Sequence, residues 1–370
     1  MKLLFAIKGL VVSGGGAERV FVDVVNALRA RGHEILVATF DPVGESFFYD
    51  LDPAIPIHSL GHSGPAQPTR AAELPGIMRK VRNLVRSEAP DAVVAFMHST
   101  FVPVGLGLLG TSVPFIASEH TDGIHYEGRR VQKLLRDTIF ARSDAITIPS
   151  EASRLAQPER WQGRMHAIPN AIDFDALSAR AGDSRREPVI LSVGRLMAEK
   201  DYPTLIRAFA LVAGEFPDWR LRIAGDGHLR GKIEAEMSRS GYGDRIDLLG
   251  YVRDTPAEYA RASIFAISSL YESFGLVTAE ALATGCPAVG FADCLGTAQL
   301  IRHEENGLLV DPGENRVEAL AGALRRLMAD PPLRETLGAA GPESVREYSL
   351  TSVADKWENM LSEIIQGGRA

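Results

Sequence analysis

The sequence predicts an α/β fold made of two doubly wound domains, each built on a parallel sheet. The chain has 370 residues, which is enough for two domains at roughly 100–200 residues each. Short β-branched runs alternate with helical patterns along its length, as is typical of parallel sheets covered by helices. A polar segment without apolar periodicity, at 178–188, interrupts this alternation, which then begins again.

The alternating pattern predicts five strands and their helices in each half of the chain. In the first half we expect strands at 3–7, 35–39, 92–96, 114–118 and 145–149, and helices at 17–30, 74–87 and 129–142. In the second half we expect strands at 189–193, 221–224, 246–249, 264–268 and 287–291, then helices at 315–329 and 352–365. The polar segment divides the chain into an N-terminal domain, 1–178, and a C-terminal domain, 179–350. Two such domains would face each other across a ligand-binding cleft.

Composition and charge exclude several classes of protein. Hydrophobic residues make up 45% of the chain and charged residues 24%, which argues against disorder. A net charge of −7 disfavours a nucleic-acid partner. Only Cys286 and Cys294 are present, which excludes a disulfide framework and indicates reduced cytosolic thiols. No apolar run approaches the roughly 20 residues of a membrane-spanning helix, and 101–110 is short and rich in glycine.

A glycine-rich loop, SGGGAERV, lies between the first strand and the first helix. It contains Gly14, Gly15 and Gly16. Glycines permit positive φ angles and let backbone N–H groups approach a ligand at a helix N-terminus. Arg19 stands where a dinucleotide-binding fingerprint would have its third glycine, so the loop is not that motif. Taken alone, it is equally consistent with a tight turn.

Two cations follow the first strand of the second domain, in the sequence SVGRLMAEKD. Arg195 and Lys200 lie in the loop that leaves the predicted sheet. Such a pair suits a diphosphate leaving group, whose negative charge grows as its bond to a sugar breaks. The alternative is a solvated loop with ordinary surface charges.

The strongest motif is YESFGLVTAEALATGCPAVG, which follows the predicted strand at 264–268. Glu272 lies in the loop, and Glu280 lies about two turns into the helix that the loop opens. Carboxylates suit polyols because they accept hydrogen bonds from two hydroxyls, so one could hold a sugar and the other a ribose. Backbone N–H groups at 274–276 would face phosphate or sugar. Acids that only complement the helix dipole would explain one glutamate but not the whole motif.

A fourth motif, SEHT, contains Glu119 and His120 directly after the predicted strand at 114–118. A lone histidine is more often a structural residue than a functional one. The carboxyl end of a strand is nevertheless where ligands of this architecture bind, which favours a functional role for His120.

These motifs, together with IPNAID at 168–173 and IAGDG at 223–227, resemble family 4 of the retaining glycosyltransferases, which have the GT-B fold. The resemblance covers essentially the whole chain, and its start is similar to members that assemble bacterial surface polysaccharides or lipid-linked oligosaccharides. It implies that the last segment, 351–370, crosses back to the N-terminal domain.

The resemblance also implies residue roles. In the family, the residues that match Arg195 and Lys200 hold the donor diphosphate, and the one that matches Glu280 binds the ribose. The counterpart of Glu272 binds a hydroxyl of the transferred sugar, and that of His120 lies near the reacting sugar. We therefore predict Glu272, His120, Arg195 and Lys200 as catalytic residues. The further donor-binding positions are Gly15, Gly16, Gly194, Gly225, Phe274, Gly275 and Leu276.

The predicted function is retaining transfer of a hexose or N-acetylhexosamine to a glycan or a polyprenyl-diphosphate-linked acceptor. A UDP-sugar is the favoured donor and a GDP-sugar the second. We expect no cofactor and no metal, and interpret the D-x-D strings at 50–52 and 173–175 as turn or capping acids. A nucleotide-sugar epimerase and an idle nucleotide-sugar-binding module remain alternatives. An NAD-dependent oxidoreductase is weaker, because IAGDGHLRG fits the dinucleotide spacing poorly.

The predicted helices at 74–87 and 129–142 are basic and amphipathic. Such helices can hold a protein against anionic lipid. The pattern favours the alternative, in which the apolar face packs on the core and the basic face is solvated. We expect a cytoplasmic protein, with peripheral contact to the inner face of the plasma membrane as a hypothesis. In 129–142 the apolar residues are Val131, Leu134, Leu135 and Ile139.

Overall fold

The computed structural model describes residues 1–11, 15–42, 44–61, 69–121, 126, 128–181 and 186–367. It divides into two compact units. The first unit comprises Met1–Ala171 and Leu350–Ala370, and the second comprises Ile172–Ser349.

The elements follow one another in the alternating order that the sequence predicts. The strands are β1 (Lys2–Ala6), β2 (Glu34–Thr39), β3 (Ile57–Ser59), β4 (Ala92–Phe96), β5 (Phe115–Ser118), β6 (Ala145–Ile148), β7 (Met165–Ala167), β8 (Glu187–Val193), β9 (Arg220–Ala224), β10 (Ile246–Gly250), β11 (Ala262–Ala266), β12 (Ala288–Phe291) and β13 (Gly307–Val310). The helices are α1 (Gly16–Ala30), α2 (Leu74–Glu88), α3 (His98–Gly107), α4 (Arg130–Phe140), α5 (Glu151–Leu155), α6 (Glu159–Gln162), α7 (Phe174–Ser178), α8 (Tyr202–Ala213), α9 (Arg230–Arg239), α10 (Thr255–Arg261), α11 (Leu276–Ala283), α12 (Leu295–Ala298), α13 (Arg316–Ala329), α14 (Pro331–Val345) and α15 (Leu350–Gly367).

Each unit contains one parallel sheet. The first has the order β3-β2-β1-β4-β5-β6-β7 and the second the order β10-β9-β8-β11-β12-β13. Central strands are buried on both faces, as in β4, where every residue is buried, because helices cover both sides of a parallel sheet. The strand order reverses between β1 and β4 and between β8 and β11. Ligands of doubly wound sheets bind outside the carboxyl ends of the strands at such a switch point.

The last helix, α15, is part of the first unit. Its apolar side chains lie in the same core cluster as β1, α1 and β4, and Trp357 is 2% exposed. The Trp357 ring stacks on Phe96 with centroids 5.8 Å apart. At the edge of this contact, Arg31 forms ion pairs with Asp355 and Glu358.

The structural boundary lies at residue 171 rather than at 178, as the sequence suggested. Ile172, Phe174 and Leu177 are buried in a core cluster of the second unit. The seven residues after Ala171 are therefore held by apolar burial, and the polar composition that marked the linker begins only after them. Part of that linker, 182–185, lies outside the described residues.

Two further properties bear on the sequence predictions. Cys286 and Cys294 are both buried and neither forms a disulfide. None of the helices in the described ranges combines the length and the hydrophobicity that crossing a bilayer requires.

Candidate active site

In the second unit, the loops that follow β8 and β11 are bound to each other at the switch point of the sheet. The two strands are neighbours. The Ser268 hydroxyl donates to the carbonyl of Lys200 at 2.8 Å, and the amide of Leu270 donates to the carbonyl of Glu199 at 2.8 Å. These bonds bring together the two loops that carry the predicted residues Lys200 and Glu272.

Lys200 and Glu272 form an ion pair at this point. Their Nζ and Oε1 atoms are in direct contact, and the side chains are only 17% and 14% exposed. The Ser269 hydroxyl donates to the same carboxylate oxygen at 2.7 Å. Burial, and then the charge of Glu272, raise the pKa of the neighbouring Tyr202 hydroxyl, which donates to the Gly194 carbonyl at 2.9 Å. The carboxylate of Glu272 is thus held in one orientation by two donors.

Arg195 lies in the same loop and is exposed. Within the described part of the chain its guanidinium has no ion-pair partner. The loop is positioned by close backbone contact: the φ of Gly225 is +142°, and a Cβ there would come within 2.0 Å of the Gly194 carbonyl oxygen. Glycine at 225 therefore lets two strand ends approach each other and fixes the loop that presents Arg195.

Glu280 lies in α11 and is 3% exposed. The hydroxyl of Tyr259, from α10, donates to its Oε2 at 2.9 Å. A buried carboxylate requires such a donor, because an unpaired charge in the core is costly. The sequence predicted Glu280 but gave no sign of its partner.

The start of α11 is formed by Phe274, Gly275 and Leu276. The Phe274 side chain is 1% exposed and packs edge-on against Tyr348, with ring centroids 5.1 Å apart. Gly275 caps the helix with a φ of +87°, a conformation that side chains rarely adopt. Because the Phe274 side chain belongs to the core, a ligand at this terminus would meet the backbone amides of the first turn.

In the first unit, His120 lies beyond the carboxyl end of β5. Its Nε2 lies 2.9 Å from the Ser118 hydroxyl, which accepts a hydrogen bond from Thr147 at 2.7 Å. The ring stacks on Phe96, with centroids 4.8 Å apart and planes 16° apart. Burial lowers the pKa of His120 to about 4, and the neighbouring Asn170 side chain opposes that shift. The ring is therefore a neutral hydrogen-bonding group at neutral pH.

The adjacent Glu119 has a structural role. It is 2% exposed and accepts hydrogen bonds from the hydroxyls of Thr121 and Tyr126. Burial raises the pKa of its carboxyl. The Arg136 guanidinium lies 4.4 Å from the centre of the Tyr126 ring, so Glu119 is linked through Tyr126 to helix α4.

The glycine-rich loop is described only in part. Gly14 lies outside the described residues. Gly15 caps α1, and Gly16 is its first residue, with open space where a Cβ would be. Both predicted glycines thus stand at a helix N-terminus, where backbone amides can meet an anion.

Two models of protein families match the chain. The model described as glycosyl transferases group 1 matches residues 173–344, and the model described as glycosyltransferase family 4 matches residues 14–176. The chain belongs to the family 4 glycosyltransferases. The recognition made from its motifs is therefore confirmed.

Individual relatives cover nearly the whole enzyme. The lipopolysaccharide core biosynthesis glycosyltransferase LpsE of Rhizobium meliloti is 29% identical in sequence. The alignment covers 94% of this chain and 96% of LpsE. An alpha-1,4-N-acetyl-D-galactosaminyltransferase of Campylobacter jejuni, whose name specifies a PP-undecaprenol-linked saccharide, is 25% identical over 98% of this chain and 99% of its own. Among solved structures, Anabaena HepE superposes with a TM-score of 0.79 at 21% identity, over 98% of this chain and 100% of that one. These findings confirm the predicted GT-B fold class.

The D-x-D strings of the glycosyltransferase have local roles. Asp173 caps α7 by accepting a hydrogen bond from the Ala176 amide at 3.2 Å. Asp52 accepts one from the Ala54 amide at 2.8 Å, within a turn. In the part of the chain that the structure describes, no group of three His, Cys, Asp or Glu side chains could hold a metal ion.

The structure of the glycosyltransferase brings two of the predicted catalytic residues into contact. These are Lys200 and Glu272 in the second unit, with Arg195 in the same loop as Lys200, whereas His120 lies in the first unit. The residues that the sequence did not reveal are hydrogen-bonding partners of the predicted ones, namely Ser269, Tyr202 and Tyr259 in the second unit and Ser118 in the first.

Proposed function

We propose that this glycosyltransferase transfers a hexose or N-acetylhexosamine from a nucleotide diphosphate sugar, with retention of configuration and without a metal ion. The observation that supports this best is the Lys200–Glu272 ion pair at the switch point of the second unit, with the exposed Arg195 in the same loop as Lys200. It combines cations for a diphosphate with a fixed carboxylate for a sugar.

The two cations would stabilise the leaving diphosphate. A lysine ammonium has three donors, so Lys200 can hold Glu272 with one and phosphate oxygens with the others. Arg195 adds a planar fork that suits phosphate. Fixed cations are most effective where negative charge develops, which here is the departing phosphate oxygen. This pair would do what a divalent ion does in metal-dependent transferases.

Glu272 is better placed to bind the sugar than to attack it. In the described part of the chain, the contacts of its side chain, from Lys200 and Ser269, both go to Oε1. The second oxygen can accept from a sugar hydroxyl. A carboxylate already held by a cation and a hydroxyl is a weak nucleophile, so we propose no covalent intermediate on Glu272.

The proposed reaction is a same-face displacement. The bond between the anomeric carbon and the diphosphate oxygen breaks, and its electron pair leaves with the phosphate. The acceptor oxygen bonds to the same face of that carbon, and its proton passes to the departing phosphate oxygen. Retention is supported by the alpha linkage in the name of the Campylobacter relative, since transfer from an α-linked nucleotide sugar to an α-linked product retains configuration.

Donor and acceptor are proposed from the relatives. Anabaena HepE has been solved with UDP and with UDP-glucose, which favours a UDP-sugar over a GDP-sugar here. The names of the relatives specify lipopolysaccharide core and a PP-undecaprenol-linked saccharide, which favours a bacterial glycan or a polyprenyl-diphosphate-linked acceptor. Such an acceptor would be met in the cytoplasm, at the inner face of the plasma membrane.

The experiment is a panel of UDP-, GDP- and ADP-linked hexoses and N-acetylhexosamines, incubated with the enzyme in EDTA. Release of nucleoside diphosphate identifies the donor. Glu280→Ala should abolish release, and Arg325→Ala should not, because Arg325 pairs with Glu215 at the surface of the same unit. Loss of activity in EDTA that magnesium restores would refute metal independence.

The same panel tests the alternative class. If the recovered donor were an epimer of the sugar supplied, as NMR would show, the enzyme would be an epimerase. If a donor bound without any cleavage or transfer to lipid-linked acceptors, the site would be an idle binding module. Binding of none of the donors would refute the proposed function.

A further inference from the structure

Helix α4 (Arg130–Phe140) carries an apolar stripe that is exposed in its N-terminal part and buried in its C-terminal part. Ile139 and Phe140 are 1% and 0% exposed and belong to the core of the first unit. Nearer the start of the helix, Val131, Leu134 and Leu135 are 71%, 67% and 40% exposed. Their spacing of three and four residues places them on one stripe. Packing against the core uses the C-terminal part of the helix, so the exposed part of the stripe is available for a partner.

Cations surround the exposed stripe. Arg129, Arg130 and Lys133 are all exposed, and no acidic residue occurs between 128 and 136. The acidic residue of the helix, Asp137, is turned to Arg136 and Arg160, which contact its carboxylate at 2.8 and 3.1 Å. The surface thus combines protruding apolar side chains with net positive charge.

Helix α2 (Leu74–Glu88) has a similar basic composition, but its apolar face is buried and two of its basic side chains bind backbone carbonyls. Its apolar residues Ile77, Val81, Leu84 and Val85 are between 1% and 9% exposed, so its apolar face is used by the core. Arg82 donates to the carbonyls of residues 107 and 109, and Lys80 to those of residues 59 and 61. Of the two helices that the sequence marked as basic and amphipathic, only α4 presents both properties to the outside.

We propose that the exposed face of α4 docks the enzyme on an anionic lipid bilayer. Apolar side chains flanked by lysine and arginine are the composition of helices that lie in the headgroup region. A second copy of the chain fits less well. A two-fold contact would bring three cations of each copy face to face, and one short helix offers far less than the roughly 800 Å² per partner of a stable interface.

This inference rests on the proposed function in one respect: a lipid-linked acceptor gives the docking its purpose. The contact would keep the first unit at the surface where the acceptor's diphosphate lies. The chain reaches α4 ten residues after His120, so the docking helix directly follows the segment that carries the predicted acceptor-side histidine.

The test is co-sedimentation of the full-length enzyme with vesicles of phosphatidylcholine alone or mixed with phosphatidylglycerol, at low and high salt. One variant replaces the stripe, Val131→Ser/Leu134→Ser/Leu135→Ser, and a second removes charge, Arg130→Gln/Lys133→Gln. The matched control, Arg79→Gln/Arg86→Gln, removes the same charge from exposed positions of α2. All substituted side chains are exposed, so the variants should fold.

We expect the wild-type enzyme to bind the mixed vesicles at low salt and to be released by high salt. The stripe variant and the charge variant should each partition at least tenfold more weakly, while the α2 control stays within about twofold. Equal loss in the α2 control would show unspecific charge attraction and overturn the proposal. So would unchanged binding of the stripe variant, absence of wild-type binding, or a wild-type dimer that the stripe variant converts to a monomer.

Nucleoside diphosphate release in the absence of vesicles separates this proposal from the proposed function. All three variants should release it at the wild-type rate, because none changes a residue of the second unit. Loss of vesicle binding with intact release supports docking through α4. Absence of release in the wild-type enzyme would instead refute the proposed function, whatever the vesicles show.

Discussion

The hydroxyl of Tyr259 donates a hydrogen bond to Oε2 of Glu280 across 2.9 Å, in the core of the second unit. Both side chains are buried, at 0% and 3% exposed. Glu280 is the residue that the family resemblance assigns to the nucleotide ribose. Tyr259 is therefore placed to orient the carboxylate that would accept the ribose hydroxyls.

Tyr259→Phe should weaken nucleoside binding about tenfold, because a hydrogen bond to a charged group is worth about 1.5–3 kcal/mol. The nucleoside and its diphosphate should lose affinity equally, since Glu280 would contact only the ribose, which they share. Titration calorimetry measures both. The control is Tyr242→Phe, which keeps the ring that lies under Arg245. Unchanged affinity in Tyr259→Phe would show that the hydroxyl does not serve binding.

His120 should make the enzyme less stable in acid. Burial lowers its folded-state pKa to about 4 from an ordinary value of 6.5. Above pH 6.5 the His120 ring is neutral in both the folded and the unfolded state, and it does not change the free energy of unfolding. As the pH falls toward 4, the unfolded state binds a proton that the folded state does not, so the free energy of unfolding decreases. The free energy of unfolding falls by about 3 kcal/mol in total, at 1.36 kcal/mol for each unit by which the pKa is lowered.

Urea denaturation of the wild-type enzyme and of His120→Gln across that pH range measures this contribution. The variant should lose about 3 kcal/mol less unfolding free energy than the wild type on acidification. The other histidines with lowered pKa, His98 and His166, are present in both proteins and cancel. Parallel stability curves would contradict a lowered pKa of His120 in the folded enzyme.

Trp357 should stabilise the first unit although it lies near the end of the chain. Its ring packs against Phe96 and Phe5, at centroid distances of 5.8 and 6.2 Å. Trp357→Ala should cost about 3–5 kcal/mol, the usual range for a buried tryptophan. Hydrogen exchange should accelerate in β1, β4 and α1, with the amides of the second unit unaffected. Exchange that accelerates first in the second unit would contradict the assignment of α15 to the first.

The sequence predicted the central strands of both sheets but not most of their edges. The three strands that were missed, β3, β7 and β13, have three or four residues and are edge strands. An edge strand pairs on one side and is less buried, so its sequence need not be a continuous apolar run. β10, which is also an edge strand, was predicted because Ile246, Leu248 and Leu249 mark it.

The candidate site was predictable where a residue follows a central strand. Lys200 and Glu272 lie 72 positions apart, yet both follow neighbouring strands at the switch point, and they are in contact. Tyr259 could not be found in this way. Its importance depends on a side-chain contact across the fold with Glu280, and it lies in α10 rather than in a loop that leaves the carboxyl end of a central strand.

Helix α4 shows that hydrophobic periodicity does not determine which residues of an apolar stripe are buried. The pattern favoured a core-facing position for Val131, Leu134, Leu135 and Ile139, which is correct for Ile139 and wrong for the other three. Apolar spacing identifies a stripe but not which part of it is covered. In α4 the core contact is made by the C-terminal part of the helix, through Arg136, Ile139 and Phe140.

Lys200 and Arg195 are proposed to hold the donor diphosphate, and the ratio between the affinities for a nucleoside diphosphate and for its nucleoside measures this role. The affinities of Lys200→Ala for the nucleoside diphosphate and for its parent nucleoside are compared with those of the wild type, with Arg325→Ala as the charge-matched control. We predict at least tenfold weaker diphosphate binding with nucleoside binding unchanged, and a fall in donor turnover of about 10²–10³-fold. An equal loss of affinity for the nucleoside and for its diphosphate would mean that Lys200 only supports the fold. Wild-type affinity for the diphosphate would contradict the assignment of the donor site.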